Sequence, residues 1–302
     1  MIKSVTVTNP KGESLKMELS NPASSGLMIT NIEGLGPSKA NIITNELATI
    51  DGAVYSSARQ SYRNIVFTLA MWPGEDIESM RQRTYRYFPI KKDVVLRVET
   101  DNKLVECTGY VESNTPVIFT EQEYTQVSII CPDPYFYDLE NEIVSFTGVV
   151  PMFEFPFSNE SVSENLLQFG EISLDSRRTI NYIGDEDVGI SISISILDRS
   201  VRNIRINNTQ TYEKFIIYTD KIASITGTGI KAGDEIYITT NKGSKSVRLL
   251  RDGRFTNIIA AIDKDSDWFQ LSVGPNEFDF TVEDGKDYVS MTFVYRNAYG
   301  GV

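Results

Sequence analysis

Three aspartates at alternate positions, Asp263, Asp265 and Asp267, form the arrangement that comes nearest to a metal site. Their spacing matches the first ligands of an EF-hand calcium loop, which also needs glycine at its sixth position and glutamate at its twelfth. Those two positions hold Trp268 and Gly274. We therefore interpret the segment as a solvated acidic turn and predict no metal site.

Catalytic chemistry is restricted by the absence of histidine from all 302 residues. Zinc bound by histidine, serine–histidine–aspartate hydrolysis and histidine acid–base catalysis are excluded. Glycoside hydrolysis by a carboxylate pair stays open, but a pair that meets only in space cannot be located among 41 acidic residues. No catalytic constellation is visible, so we predict a structural or binding protein without catalytic residues or a cofactor.

A second group of side chains is basic. An acidic chain of net charge −12 gathers five cations within a short stretch of turn and strand. We expect a hairpin to place several of them together as a surface for an acidic partner, the alternative being a merely solvated hairpin. The net charge argues against specific nucleic-acid binding. The five residues are Lys242, Lys245, Arg248, Arg251 and Arg254.

Carbohydrate binding is a further function that the sequence leaves open. An exposed aromatic ring in a β-sandwich is a typical sugar contact, because its apolar face can pack while its edge stays wet. Trp268 is the residue that we single out for this role. A cell-wall glycosidase that depends on carboxylates is the third alternative.

The elements that must position these residues are mainly strands. Residues 188–197 alternate apolar side chains with serine, which predicts a half-buried strand of an antiparallel sheet, and later strands follow at the spacing of a β-sandwich. One helix is predicted at about 76–88, capped by Asp76 and ended by Pro89. The segment at about 24–61 is rich in glycine, asparagine and serine and only weakly periodic, so we expect an extended belt.

The chain length corresponds to two domains of about 150 residues. A change of composition after Val144 places them at 1–145 and 146–302. The N terminus lacks the apolar stretch of a signal peptide, and no run approaches the ~20 apolar residues of a membrane span. We interpret Cys107 and Cys131 as small buried side chains and expect synthesis in a reducing cytoplasm without membrane insertion.

The stretch ICPDPYFYDLE at 130–140 joins the two predicted domains. Pro132 and Pro134 lack backbone donors, so the preceding strand must end there. Tyr135 and Phe136 can then pin the exiting chain against a core or a neighbouring surface. We interpret these four residues as a candidate inter-domain latch.

Several stretches, taken in order, resemble the distal tail protein (Dit) family of long-tailed bacteriophages and related tail-like particles. The resemblance covers most of the chain and rests on the order and spacing of its motifs. In the first half these are ITNIEGLGP at 29–37, DGAVYSSARQSYRNIVFTL at 51–69 and PDPYF at 132–136. In the second half they are AGDEIYITTNKGSKSV at 232–247 and FQLSVGPNEFDF at 269–280.

The resemblance implies a mainly β fold, with an N-terminal β-barrel-like ring domain that carries one α-helix and an extended belt, and a C-terminal galectin-like β-sandwich. It implies a homohexameric ring in the virion tail tip or the baseplate of a tail-like particle, made in the cytoplasm of the bacterial host. The ring would join the tail tube protein to a tail-associated or baseplate hub protein, and DNA would pass through its channel. The C-terminal domain would dock a receptor-binding protein or, in some members, bind sugar. The latch at 132–136 would close the ring-forming domain.

Overall fold

The computed structural model describes residues 1–49, 51–73, 76–151, 170–174 and 177–302. The described chain is mainly β, which confirms the predicted fold class. It divides into two compact units. Unit 1 comprises Met1–Glu140 and Ala298–Val302, and unit 2 comprises Asn141–Asn297. The boundary predicted at residue 145 lies a few residues beyond this division, and the return of the C-terminal residues to unit 1 was not predicted.

Unit 1 is built on one long antiparallel sheet in the order β2-β1-β7-β8-β9-β6-β3. Its edge strands β2 and β3 do not pair with each other among the described residues, so the barrel-like sheet is not closed. The strands are β1 (Ile2–Thr8), β2 (Ser14–Glu18), β3 (Leu27–Glu33), β4 (Ala40–Glu46), β5 (Ala53–Gln60), β6 (Arg63–Met71), β7 (Asp93–Thr100), β8 (Leu104–Val117), β9 (Tyr124–Cys131) and β10 (Phe136–Asp138). A short 3-10 helix, Pro22–Ser24, precedes β3.

The core of unit 1 follows from strand alternation. Val5 and Val7 of β1 lie opposite Val98 and Leu96 of β7, and all four side chains are fully buried. Cross-strand apolar pairs of this kind stabilise a sheet while alternate residues face water. The two cysteines also lie in this core, as free and buried thiols.

The helix of unit 1, α1 (Ile77–Tyr87), confirms the helix predicted at 76–88. The carboxylate of Asp76 accepts a hydrogen bond from the amide of Ser79 at 3.2 Å, which caps the first turn. Met80 and Thr84 form the buried face. The helix ends before Pro89, as the restriction on residues that precede proline requires.

Strands β4 and β5 form a separate antiparallel hairpin that does not join the main sheet. Nearly all of its residues are exposed. It occupies the second part of the belt predicted at 24–61, whereas the first part forms β3 of the main sheet.

Unit 2 contains a six-stranded sheet, β11-β24-β16-β19-β20-β21, and a four-stranded sheet, β14-β23-β17-β18. The strands are β11 (Glu142–Ser145), β12 (Thr147–Pro151), β13 (Gly170–Leu174), β14 (Arg177–Tyr182), β15 (Val188–Gly189), β16 (Ser191–Ile196), β17 (Arg202–Asn208), β18 (Lys214–Ile217), β19 (Glu235–Thr239), β20 (Ser246–Arg251), β21 (Arg254–Asn257), β22 (Gln270–Leu271), β23 (Gly274–Asp284) and β24 (Val289–Tyr295). The described part of unit 2 also contains one α-helix, α2 (Thr219–Thr226), and two 3-10 helices, Ile259–Ala261 and Lys286–Tyr288.

The six-stranded and four-stranded sheets of unit 2 pack through aromatic side chains. Phe278 of β23 and Phe293 of β24 meet edge to face, with ring centroids 5.2 Å apart. Phe146 contacts the rings of both Phe280 and Phe293. Strand β16 buries Ile192, Ile194 and Ile196 and leaves its serines half-buried, as its alternation predicted. The last strand of the chain, β25 (Ala298–Tyr299), belongs to unit 1 and pairs with β10.

No described helix reaches the length and apolar character that crossing a membrane by a helix would require.

Candidate functional site

Arg63, the first residue of β6, is a large charged side chain that is fully buried in unit 1. It is 1% exposed, and its backbone pairs with Cys131 of β9. Burial lowers the pKa of its guanidinium below the usual value, because the charged form loses water. A buried charge is tolerated only where hydrogen bonds replace that water, so the partners of Arg63 define what it does.

Those partners are four backbone carbonyls and one ring. Nε donates to the carbonyl of Pro134 at 2.7 Å. One terminal nitrogen donates to both Gly34 and Gly36 at 2.5 Å, and the other donates to Gly300 at 2.6 Å. The ring of Phe136 lies against the guanidinium. We call this arrangement the Arg63 cage. It ties β6 to the segment before the hairpin, to the chain leaving β9, and to the C-terminal strand.

The cage also fixes the base of the β4–β5 hairpin. Gly34 approaches the neighbouring strand so closely that a Cβ atom there would lie 1.9 Å from the carbonyl oxygen of Asn64. Further along, the amide of Ser61 donates to the carbonyl of Lys39 at 2.9 Å. These contacts hold both ends of the hairpin, and we call the residues that make them its rigid root.

The hairpin itself presents apolar side chains to solvent. Ile42 is 61% exposed and Tyr55 is 64% exposed. Ile43, Leu47 and Val54 are also exposed. An isolated two-stranded hairpin is marginally stable in water, and its unpaired edges can bind another chain.

The four residues of the predicted latch all lie in unit 1. Strand β9 ends directly before Pro132, as predicted, but the chain soon returns to the sheet as β10, which pairs with β8 and with β25. Phe136 is fully buried in the core of unit 1, whereas Pro134 and Tyr135 are half-buried and Pro132 is exposed. The latch role remains a prediction.

The five predicted cations lie on and around the β20–β21 hairpin, but they have different environments. Arg251 pairs with the buried Asp234, donating from Nε to Oδ1 at 2.7 Å, and this pairing raises the pKa of Arg251. Arg248 lies over the ring of Phe255 at 4.8 Å, and strand alternation puts it on the face opposite to Arg251. Lys242, Lys245 and Arg254 are exposed, as is Arg248.

Trp268, the predicted glycan contact, is half-buried. Its indole packs edge to face against Phe215, with centroids 5.3 Å apart, and Lys245 lies over it at 5.4 Å. The acidic turn that precedes Trp268 is held in place by hydrogen bonds to the carboxylate of Asp263. Asp263 accepts hydrogen bonds from the hydroxyl of Tyr218 at 2.5 Å and from the amide of Asp265 at 2.8 Å. These hydrogen bonds lower the pKa of Asp263.

Sequence reasoning missed the Arg63 cage. The available signal was an arginine that begins a mostly apolar strand, after a segment rich in glycine, asparagine and serine. That pattern can indicate a buried cation, but it does not identify carbonyl partners that come from distant parts of the chain. Among the described residues, no cluster of three or more acidic or cysteine side chains is arranged to hold a metal ion.

No protein-family model matches the chain, and no curated protein matches it. Among solved structures, the crystal structure of the SPP1 Dit protein aligns with a TM-score of 0.64 at 12% identity, covering 97% of this chain and 99% of that chain. That protein is described as a paradigm of the hub adsorption apparatus in phages that infect Gram-positive bacteria. A chain of the phage P2 baseplate in its activated conformation with Ca aligns with a TM-score of 0.46 at 13% identity, covering 97% and 98%. The first match shows that this chain has a Dit-like fold over nearly its whole length, as the sequence resemblance implied.

Proposed function

We propose that this protein is a structural hub at the distal end of a phage tail tube or tail-like particle, where six copies form a ring. The observation that carries the proposal is the Dit-like fold across 97% of the chain. The absence of histidine from the sequence agrees with a role in assembly, because the commonest acid–base side chain is missing. We propose no enzymatic activity.

The β4–β5 hairpin is the element that we propose to join neighbouring copies. Its exposed apolar side chains would be covered by the adjacent subunit, and its open edges could add to that subunit's strands. A rigid root favours this role, since an arm that is already oriented loses less conformational freedom when it binds.

The proposed partners follow from the position of such a ring. One face would contact the tail tube protein, and the other would contact a tail-associated or baseplate hub protein. Unit 2 would dock a receptor-binding protein, and Lys242, Lys245 and Arg254 are the cations that we propose for that surface. DNA would pass through the channel without specific binding, in keeping with the acidic net charge. The protein would be made in the bacterial cytoplasm and incorporated into the virion tail.

The direct test is the mass of the purified protein, measured by native mass spectrometry and supported by electron microscopy of negatively stained particles. We expect a ring of six subunits. A chain that stays monomeric at every concentration and never enters a tail structure would contradict the proposal.

A matched pair of variants tests the hairpin. The double variant Ile42→Ser/Tyr55→Ser should lose the ring while each subunit stays folded by circular dichroism, because both side chains are exposed in the single chain. Ile183→Ser is the control, since Ile183 is an exposed apolar residue of unit 2. If the double variant assembles as well as the control, the hairpin does not join the subunits.

A further inference from the structure

Residues 298–302, which follow unit 2 in sequence, lie against the chain that enters the β4–β5 hairpin. The amide of Val302 donates to the carbonyl of Leu35 at 3.0 Å. A Cβ atom placed on Gly301 would lie 3.1 Å from three different atoms of residues 35–37. The backbone of this segment therefore packs directly on the chain that precedes the first hairpin strand. We call residues 298–302 the 298–302 segment.

The 298–302 segment is anchored to unit 1 by Tyr299 before it reaches the hairpin. Tyr299 pairs with Phe136 of β10, and its side chain is buried. The hydroxyl of Tyr299 donates to the carboxylate of Asp138 at 3.2 Å. Lys103 Nζ lies 3.7 Å from the centroid of the tyrosine ring. The segment thus has a fixed position from which its last residues contact the entry of the hairpin.

Arg63 connects both sides of this contact through one guanidinium. Its terminal nitrogens donate to the carbonyls of Gly34 and Gly36, which precede the hairpin, and to the carbonyl of Gly300 in the 298–302 segment. Because the side chain is buried, water does not replace an acceptor that moves away, and a buried donor without an acceptor is costly. The hairpin entry and the segment therefore keep their positions together.

The hairpin depends on these contacts because little else holds it. Strands β4 and β5 do not join the main sheet, and nearly all of their residues are exposed. An element with few buried contacts opens and moves at low cost, so its orientation is determined where it is attached. A shift of residues 35–37 would consequently change the direction in which the hairpin points.

We propose that the 298–302 segment sets the direction of the β4–β5 hairpin, so that docking of the segment and binding at the hairpin are energetically linked. With the segment docked, the hairpin has one orientation. With the segment displaced, residues 35–37 lose the hydrogen bond from Val302 and the hairpin samples several orientations. Linkage is reciprocal, so a partner that holds the hairpin also stabilises the docked segment. The coupling goes beyond the hub role, because every residue that carries it belongs to unit 1 of a single chain.

Double electron–electron resonance between two spin labels measures the direction of the hairpin. Asn45→Cys places one label on an exposed position of β4, and Lys11→Cys places the other on the exposed turn between β1 and β2. The native thiols of Cys107 and Cys131 are buried, so they should not react with the labelling reagent. The distance between the two labels then reports how the hairpin is oriented relative to the main sheet.

The labels are carried in the Ile42→Ser/Tyr55→Ser variant and diluted with unlabelled chains of the same variant. The measured distances then come from within one chain, whether or not the native protein forms a ring of six. Failure of the hub proposal and failure of this proposal are therefore distinguishable. With the native 298–302 segment we expect one narrow distance distribution.

Gly301→Val should widen that distribution about twofold or more, because the added side chain displaces the segment from residues 35–37. Gly229→Val is the matched control, since a Cβ there meets no heavy atom within 4 Å, and it should leave the width unchanged. Circular dichroism checks that each variant is folded. If Gly301→Val does not fold, Gly301→Ala replaces it and should widen the distribution to a smaller extent. An unchanged width in the folded Gly301 variant, or equal widening in Gly229→Val, would overturn the proposal.

Discussion

The guanidinium carbon of Arg63 lies 4.4 Å from the centroid of the Phe136 ring, and both side chains are removed from solvent. Four carbonyls accept from the same guanidinium in addition to this ring contact. A desolvated cation over an aromatic face is attracted by the ring quadrupole. Phe136 therefore serves the cage as well as the apolar core of unit 1.

Replacing Arg63 by methionine should lower the free energy of unfolding of unit 1 by about 3–5 kcal/mol, because four buried carbonyls lose their donor. Arg63→Lys should recover only part of this, since an ammonium lacks the planar set of five donors. The chain has two tryptophans, and Trp72 lies in unit 1. Urea unfolding followed by Trp72 fluorescence in a Trp268→Phe background measures unit 1 by itself.

The control for Arg63 is Arg97→Met. Arg97 forms a surface ion pair with Glu106 at 3.1 Å, and its side chain is half exposed. Such pairs contribute about 0–1 kcal/mol. If Arg63→Met costs no more than Arg97→Met, the cage does not stabilise unit 1.

Phe136→Ala should cost unit 1 about 3–5 kcal/mol, the usual loss for a buried phenylalanine. Phe119→Ala is the control, because Phe119 is 95% exposed and its loss should change stability by less than about 0.5 kcal/mol. The latch interpretation makes the further prediction that ring assembly weakens at temperatures where the variant is still folded. Normal assembly with a lowered melting temperature would show that Phe136 acts as a core residue alone.

Gly34→Ala should be far more damaging than Gly12→Ala. Both glycines have a left-handed backbone, with φ of 85° and 80°. A Cβ at Gly34 would collide with the carbonyl of Asn64, whereas a Cβ at Gly12 would have no heavy atom within 4 Å. We expect the difference in unfolding free energy to exceed about 2 kcal/mol, measured by the Trp72 signal. Equal costs would mean that the chain before the hairpin can move away from β6.

The carboxylate of Glu13 should titrate with a pKa of about 2, well below its ordinary value of 4.5. The main cause is hydrogen bonding from Arg86, whose Nε donates at 2.8 Å, and Asn9 adds a second hydrogen bond. Because the folded-state pKa is lowered, the stabilisation is complete above pH 4.5 and is lost as the pH falls towards 2. Carbon-detected NMR should show the pKa rising in Arg86→Met. An unchanged pKa in that variant would remove Arg86 as the cause.

Arg251→Met should destabilise unit 2 by about 3–5 kcal/mol, because it leaves the carboxylate of Asp234 buried without its cation. The exposed control Arg254→Met should change stability by less than about 0.5 kcal/mol. Trp268 fluorescence follows unit 2 when Trp72 is replaced by phenylalanine. Adding Asp234→Asn to Arg251→Met should restore part of the loss, and no restoration would show that charge burial is not the cause.

The features that the sequence predicted well are those with local causes. Helix α1 has a capping aspartate, a buried face and a following proline within one short segment. Strand β16 has strict alternation. The five cations were predicted to lie together because they are close along the chain. Strand alternation instead puts Arg248 and Arg251 on opposite faces of β20, and Arg251 pairs with the buried Asp234.

The features that the sequence could not predict depend on distant residues. Phe136 pairs with Tyr299, and Arg63 binds the carbonyl of Gly300. Every residue has a backbone carbonyl, so the residue types do not show which carbonyls accept a hydrogen bond from Arg63.

The order of synthesis gives the Arg63 cage a consequence for biogenesis. Gly300 follows Arg63 by 237 positions, so a ribosome completes all of unit 2 before the last carbonyl of the cage exists. Until then one guanidinium nitrogen lacks its native acceptor and β10 lacks β25 beside it. Unit 1 therefore reaches its full stability only after translation has passed unit 2.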